Sequence, residues 1–244
     1  MIFWFARRFA PLLVAILCIS SPDLFGQIEA EAQHVFDRYA EAIGGLEAYE
    51  AIESARIEMA MEIPAMNMSM KMSVTFLAPD RFLMDSTIPG MGSTKQGFDG
   101  EKGWSIDPIQ GSRELKGEEL EKLRSDVDFQ EGLRLAEKYI SASVTGISGE
   151  GLIEVIAIAK LGGQEEKLYF EKETGLLRAK DSIENMGEQG EIPVTTHIKS
   201  YQSFGDLQLV VHEEADVMGA NMIMRLTSFE PNIEVDPSIF QMPE

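Results

Sequence analysis

Residues 65–77 read AMNMSMKMSVTFL. Every even position from Met66 to Phe76 is apolar, and every odd position from Asn67 to Thr75 is polar. Because successive side chains of a strand point to opposite faces, the alternation predicts one β-strand with an apolar face and a solvated face. Eleven residues at about 3.3 Å each span roughly 36 Å, about twice an ordinary strand, which favours a large curved sheet over a small sandwich.

The apolar face of this strand is unusual because four of its six residues are methionine. Methionine is flexible and polarizable, so it adapts to varied apolar partners better than it specifies a fixed core. One interpretation is therefore a concave cavity for a flexible apolar ligand, and another is an ordinary core packed under a helix. A third is a Cu(I) site, because thioether sulfur is a soft ligand and Met59 and Met61 extend the cluster upstream.

The segments on either side of this strand show a similar alternation of apolar and polar residues. Alternating stretches separated by Gly, Pro and Asp turns predict further strands and an antiparallel sheet, with helices at 29–43, at 46–52 and within 115–135. The fold class that these patterns predict is α+β, with a large antiparallel curved sheet and a few helices. The predicted strands are 54–63, 66–76, 81–88, 93–98, one from Trp104, one from Tyr139, 153–159, 165–170, 176–183, 192–204, 207–214 and 221–229.

The net charge is −20, from 21 Lys and Arg against 41 Asp and Glu. Such a chain repels nucleic acid and anionic membrane surfaces, so neither is an expected electrostatic partner. Arg7 and Arg8 followed by the apolar run 9–19 predict a secretory signal peptide over 1–26, cleaved after Gly26, with sites near Ser20 and Ser21 as alternatives. Residues 27–244 are then a single domain. Cys18, the only cysteine, lies in the signal, where Leu17 disfavours lipidation.

Motifs of catalysis are absent from the sequence. The three histidines, His34, His197 and His212, fall in different predicted elements, and no hydrolase, nucleotide-binding or zinc-protease signature is present. We therefore predict a protein that is not an enzyme, with no catalytic residues, no resident cofactor and no metal outside the Cu(I) alternative.

Several local patterns, in this order along the chain, resemble the bacterial outer-membrane lipoprotein-sorting family, the LolA-like proteins of the cell envelope. They are Gly44-Gly45-Leu46-Glu47-Ala48 with Ile52-Glu53-Ser54, Pro79-Asp80-Arg81-Phe82, Phe98-Asp99-Gly100 with Trp104, Leu168-Tyr169-Phe170 with Thr174-Gly175-Leu176-Leu177, and Asn232-Ile233 with Phe240 and Pro243.

The resemblance implies an unclosed half-barrel plugged by helices, and a periplasmic carrier that binds the acyl chains of a lipoprotein or another acylated lipid. It also implies envelope donor and acceptor proteins as partners, and a chain that is not integral to the membrane. The family's lid-latching arginine aligns with Ser73 here, a departure that puts lipoprotein as cargo in doubt. The alternative on the same fold is a lipid-free envelope interaction protein. The expected lining of the acyl-chain cavity is Met66, Met68, Met70, Met72, Val74 and Phe76, with Trp104 as a neighbouring wall. An alternative for Trp104 is a buried aromatic residue that anchors the sheet.

Overall fold

The computed structural model describes residues 27–90, 92–185 and 190–243, and within them thirteen strands form one antiparallel sheet. The predicted export signal, its cleavage site and Cys18 lie outside the described residues. The strands are β1 Ser54–Ile63, β2 Met68–Leu77, β3 Arg81–Ile88, β4 Gly92–Phe98, β5 Gly103–Asp107, β6 Gly111–Leu115, β7 Tyr139–Ile147, β8 Leu152–Ala159, β9 Glu165–Glu171, β10 Leu177–Asn185, β11 Glu191–Phe204, β12 Leu207–Val217 and β13 Ala220–Pro231.

The sheet consists of two meanders that join through the first and last strands. Its order is β6-β5-β4-β3-β2-β1-β13-β12-β11-β10-β9-β8-β7, so β6 and β7 are the free edges and the sheet does not close into a barrel. The chain before the first helix covers part of one edge, because Glu29 N donates to Ala142 O of β7 at 2.9 Å. This arrangement confirms the predicted α+β fold class and the unclosed sheet.

Two helices at the N-terminus pack on the concave face. They are α1 Ala30–Ala42 and α2 Gly45–Glu50, close to the predicted helices 29–43 and 46–52. Apolar residues of α1 at helical spacing, among them Val35 and Phe36, are buried against Phe170 of β9. Gly44 ends α1 with φ +128°, and a Cβ there would lie 2.7 Å from Asp206 O, so glycine lets the chain turn closely over the sheet.

A third helical region connects the two free edges. It consists of α3 Gly117–Asp126 and a 3₁₀ helix Glu131–Lys138, which together cross from β6 to β7. We call residues 116–138 the crossover segment. The helices predicted within 115–135 are thereby found. Among the described helices, none has both the length and the apolar character that spanning a bilayer would require.

Two details of the predicted sheet differ from the structure. The methionine strand begins at Met68, because Pro64–Met66 form a 3₁₀ turn and Asn67 adopts the left-handed conformation with φ +48°. Strand β6 was not predicted: no strand was expected between the one from Trp104 and the helices within 115–135.

Candidate functional site

The register of the strands shows which side chains share the concave face. On β1, Ala55 and Ile57 pack with the helices, so the odd positions of β1 point into the concavity. Residues that pair directly across antiparallel strands lie on the same face. The pairing of Ala55 with Phe76 and of Met61 with Met70 therefore puts the even, methionine-bearing positions of β2 on the concave face as well.

The methionines continue beyond β2 in rows that cross the sheet. One row runs from Met70 through Met61 and Met224 to Glu213 on β12. The next row runs from Met72 through Met59 to Leu226. Each of these methionines is partly exposed. We call the concave-face set the methionine surface; its members are Met59, Met61, Met68, Met70, Met72, Met222 and Met224.

The concave face is filled near the helices, and a small buried cluster of Ile192, Val194 and Ala215 packs against Met222 at the edge of the methionine surface. Towards Ala55 and Phe76, the helices and the crossover segment close over the sheet and bury Ile43, Tyr49 and Leu207. Towards the methionine surface the side chains stay half-buried, so apolar area remains available to a ligand. This division distinguishes the open part from an ordinary filled core.

A cleft of about 250 Å³ adjoins the methionine surface. This volume exceeds that of the roughly 150 Å³ apolar cavity that holds a benzene molecule. The floor comes from β1, β12 and β13, and Phe129 of the crossover segment borders it. The lining residues are Ile57, Met59, Phe129, Leu209, Val210, Val211, His212, Glu213, Met224 and Leu226.

Glu213 is the acidic residue of this lining. Its cross-strand neighbours are Met224 on β13 and Ile198 on β11, both apolar. Among the described residues, none donates a hydrogen bond to its carboxylate or forms an ion pair with it. Burial raises the pKa of Glu213 above its usual value, and Lys180 opposes that rise only in part.

A second, larger cavity of about 690 Å³ lies between the crossover segment and the sheet. Just over half of its lining residues are charged, and several of these charges form ion pairs. Lys180 Nζ lies 3.5 Å from Glu166 Oε1, and Arg134 Nη2 lies 2.8 Å from Asp128 Oδ2. Such a lining suits water better than hydrocarbon, so the methionine side of the concavity is the better candidate for an apolar ligand.

Phe129 holds the crossover segment on the sheet. Its ring centroid lies 4.9 Å from that of Phe76, 5.1 Å from that of Tyr49 and 5.9 Å from that of Phe229. Ser73, which the resemblance aligned with the latching arginine, pairs with Glu58 and points away from the concave face. The crossover segment is thus anchored by an aromatic cluster that sequence analysis missed.

The predicted lining residues on and before β2 differ in where the structure places them. Met68, Met70 and Met72 lie half-buried on the concave face, while Val74 is buried there and Phe76 borders the larger cavity. Met66 lies in the turn before β2 and is 66% exposed, outside the sheet. The residues missed were those of β12 and β13. The alternation of Met222, Met224 and Leu226 was the available signal.

Trp104 occupies the opposite face, so it does not form a wall of the concavity. It pairs with Gly97, Gly97 with Leu83, and Leu83 with Thr75, which points away from Val74 and Phe76. Its indole is 2% exposed and its Nε1 donates to Phe240 O at 2.7 Å. The residue is a buried anchor on the convex side.

The chain after β13 provides the cover for that convex side. Asn232 Nδ2 donates to Ala51 O at 3.0 Å, and Asn232 Oδ1 accepts from Glu53 N at 2.9 Å. Ser54 Oγ donates to Ile233 O at 2.6 Å. We call residues 232–240 the C-terminal strap, which runs from β1 to the fully buried Phe240 beside Trp104.

In the described part of the chain, no three His, Cys, Asp or Glu side chains are grouped as a metal site of those residues would need. That observation leaves the methionine-based Cu(I) alternative untested, because thioether ligands are of another type.

Neither a protein-family model nor a curated protein matches this sequence. Solved structures do match over most of the chain. A LolA superfamily protein from Nitrosomonas europaea superposes with a TM-score of 0.59 at 11% identity, covering 86% of this chain and 97% of that one.

Two further matches have similar extents. A DUF1329 family protein from Desulfovibrio piger gives a TM-score of 0.56 at 12% identity, covering 86% of this chain and 96% of its own. A domain described as an outer membrane lipoprotein-sorting protein, from Vibrio parahaemolyticus, gives 0.55 at 11% identity, covering 85% and 96%. The fold is therefore LolA-like, as the sequence patterns predicted.

Proposed function

We propose that the protein is a periplasmic carrier that holds the acyl chains of a lipid or lipoprotein on its methionine surface. The observation that carries the proposal is the half-buried row of Met70, Met61 and Met224, which continues into an apolar cleft of about 250 Å³. The alternative of a fully filled concavity fits this open cleft poorly. The LolA-like fold and the predicted export signal are consistent with an envelope location.

The energetics suit reversible binding. Burying about a dozen methylenes at ~0.8 kcal/mol each supplies on the order of 10 kcal/mol, from which the costs of ordering and association are subtracted. Association alone costs about 4–15 kcal/mol, so these costs offset much of the gain and binding stays reversible. Methionine side chains can repack around chains of different length, which suits a carrier. No catalytic group is needed, in agreement with the absence of catalytic motifs in the sequence.

Mass spectrometry of protein purified from its native envelope tests the proposal. We expect co-purified acylated molecules, and an N-terminus at Gln27 if the signal is removed as predicted. Protein that carries no lipid from the native envelope, and binds none when offered it, would refute the carrier and favour the lipid-free interaction protein.

A pair of variants locates the binding surface. Met70→Glu puts a charge on the concave face, and Ser69→Glu puts the same charge on the exposed opposite face of the same strand. We expect the first to lose most of its bound lipid and the second to retain it. If a folded Met70→Glu protein carries as much lipid as the Ser69→Glu protein, the methionine surface is not the binding site.

A Cu(I)-binding module is the second candidate, because the register brings Met70, Met61 and Met224 side by side, with Met72 and Met59 in the next row. Soft thioether ligands select Cu(I). Metal analysis of the purified protein, followed by competition with a Cu(I) chelator, distinguishes it. Copper bound at one equivalent and lost on Met61→Leu would favour this candidate over the carrier.

A further inference from the structure

Glu213 is the one carboxylate among the residues that line the apolar cleft, so it is placed to contact the polar group of a ligand bound there. Glu213 continues the row formed by Met70, Met61 and Met224, so its side chain projects from the concave face among apolar neighbours. Glu213 is half-buried, and a carboxylate held partly away from water without a partner is costly, so proteins usually replace it or pair it. Here no hydrogen-bond or ion-pair partner is found among the described residues.

Groups on neighbouring elements do not neutralise this carboxylate. The charge of Lys180 on β10 favours the ionised form of Glu213, but the Lys180 Nζ is already 3.5 Å from Glu166 Oε1. Tyr39 of α1 is the other titratable group affected. Burial raises the pKa of Tyr39 to about 12, and the carboxylates of Glu131 and Glu213 add to the rise, so the hydroxyl stays neutral. A ligand with a positive charge or a hydrogen-bond donor would therefore supply the partner that the Glu213 carboxylate lacks among the described residues.

We propose that Glu213 selects cargo with a protonated amine next to its apolar chain, and disfavours cargo that ends in a carboxylate. The inference rests on the proposed function and adds the chemistry of the cargo's polar group. An ammonium group would donate charge-assisted hydrogen bonds to Glu213 in a poorly hydrated cleft, where such bonds are strong. The net charge of −20 acts in the same direction by repelling anionic amphiphiles.

Three probes of equal chain length test the selection: dodecylamine, dodecanol and dodecanoate, each titrated below its micellar concentration at pH 7. The protein is purified from cells that express the full-length chain, and bound lipid is removed first. We expect dodecylamine to bind at least about tenfold more tightly than dodecanoate, the gain of one charge-assisted hydrogen bond, with dodecanol between them.

Two matched variants assign that preference to one side chain. Glu213→Gln keeps the size of the side chain and removes its charge. Glu214→Gln removes the same charge one residue later, on the opposite face, where Glu214 Oε2 lies 3.2 Å from Lys199 Nζ. We expect Glu213→Gln to weaken dodecylamine about tenfold while dodecanol stays within twofold. Glu214→Gln should change all three probes by less than twofold.

The outcomes separate this inference from the carrier proposal. If dodecanol and the other probes all fail to bind, the carrier proposal fails and the selection fails with it. If dodecanol binds but Glu213→Gln leaves the ratio of amine to carboxylate unchanged, only the selection is overturned. If Glu213→Gln and Glu214→Gln lose the same amount of dodecylamine affinity, the preference for the amine comes from the net negative charge of the protein, and the role of Glu213 is overturned.

Discussion

Removal of the Phe129 ring tests whether an aromatic cluster anchors the crossover segment on the sheet. The ring contacts three others, with centroids 4.9 Å, 5.1 Å and 5.9 Å away, on Phe76, Tyr49 and Phe229. Loss of a partly buried aromatic side chain costs about 2 kcal/mol in burial, and the ring contacts add about 1–2 kcal/mol. We expect Phe129→Ala to lower the free energy of unfolding by about 3 kcal/mol in urea titrations.

The same variant also has a predicted effect on binding. Phe129 borders both the apolar cleft and the larger cavity, so the alanine variant should join the two and bind dodecanol at least as tightly as the parent protein. Phe129→Leu keeps an apolar side chain and should lose only about 1–2 kcal/mol. A loss below about 1 kcal/mol for Phe129→Ala would refute the anchoring role. A fall in dodecanol affinity in a folded variant would refute the view that this ring occupies space that a ligand can use.

Three further predictions concern the convex face and the cleft. Trp104→Phe should cost about 2 kcal/mol, because the buried Phe240 carbonyl loses its donor, and dodecanol binding should not change. Asn232→Ala should cost about 2 kcal/mol by urea unfolding, because it removes two hydrogen bonds and puts alanine at φ +54°. Burial raises the pKa of Glu213, so the folded state holds its proton more tightly than the unfolded state does, and stability falls as pH rises from about 4.3 to that raised value. Glu213→Gln removes this pH dependence. The free energy of unfolding of the variant minus that of the parent protein, measured in urea from pH 4 to 8, should grow between about pH 4.3 and the raised pKa and then level off. A constant difference would contradict the raised pKa of Glu213.

The sheet could be predicted because most of its strands bury one face and expose the other. That condition produces an alternation with a period of two, which is visible between Met68 and Phe76. The alternation does not mark where a strand begins, and Asn67 tolerates a left-handed turn that leaves the pattern intact. Strand β6, Gly-Ser-Arg-Glu-Leu, was missed because it has a single apolar residue, Leu115, which the structure buries on the concave side.

The candidate site was harder to predict because alternation reveals two faces without saying what covers each. Trp104 has polar or small neighbours on both sides, so the local sequence does not show which face of the sheet it takes. The C-terminal strap buries part of the convex face as well, and this contact joins residues 136 positions apart. Which face Trp104 takes therefore depends on the register from β1 to β5, a non-local property. Glu213 follows Leu209 and Val211 at alternate positions, so its place on the apolar face could have been read from the sequence.

The short helices explain why part of the concave face stays open. The 13 residues of α1 give a length of about 20 Å at 1.5 Å per residue, whereas the 14 residues of β11 extend about 46 Å at 3.3 Å per residue. Helices of this length fill the concavity around Phe36 and Tyr49 and end before the methionine surface. A ligand that covers this surface in the folded state alone would stabilise the protein in proportion to the logarithm of its concentration. If the proposed cargo binds at the methionine surface, the stability of the folded protein should therefore rise with the concentration of that cargo.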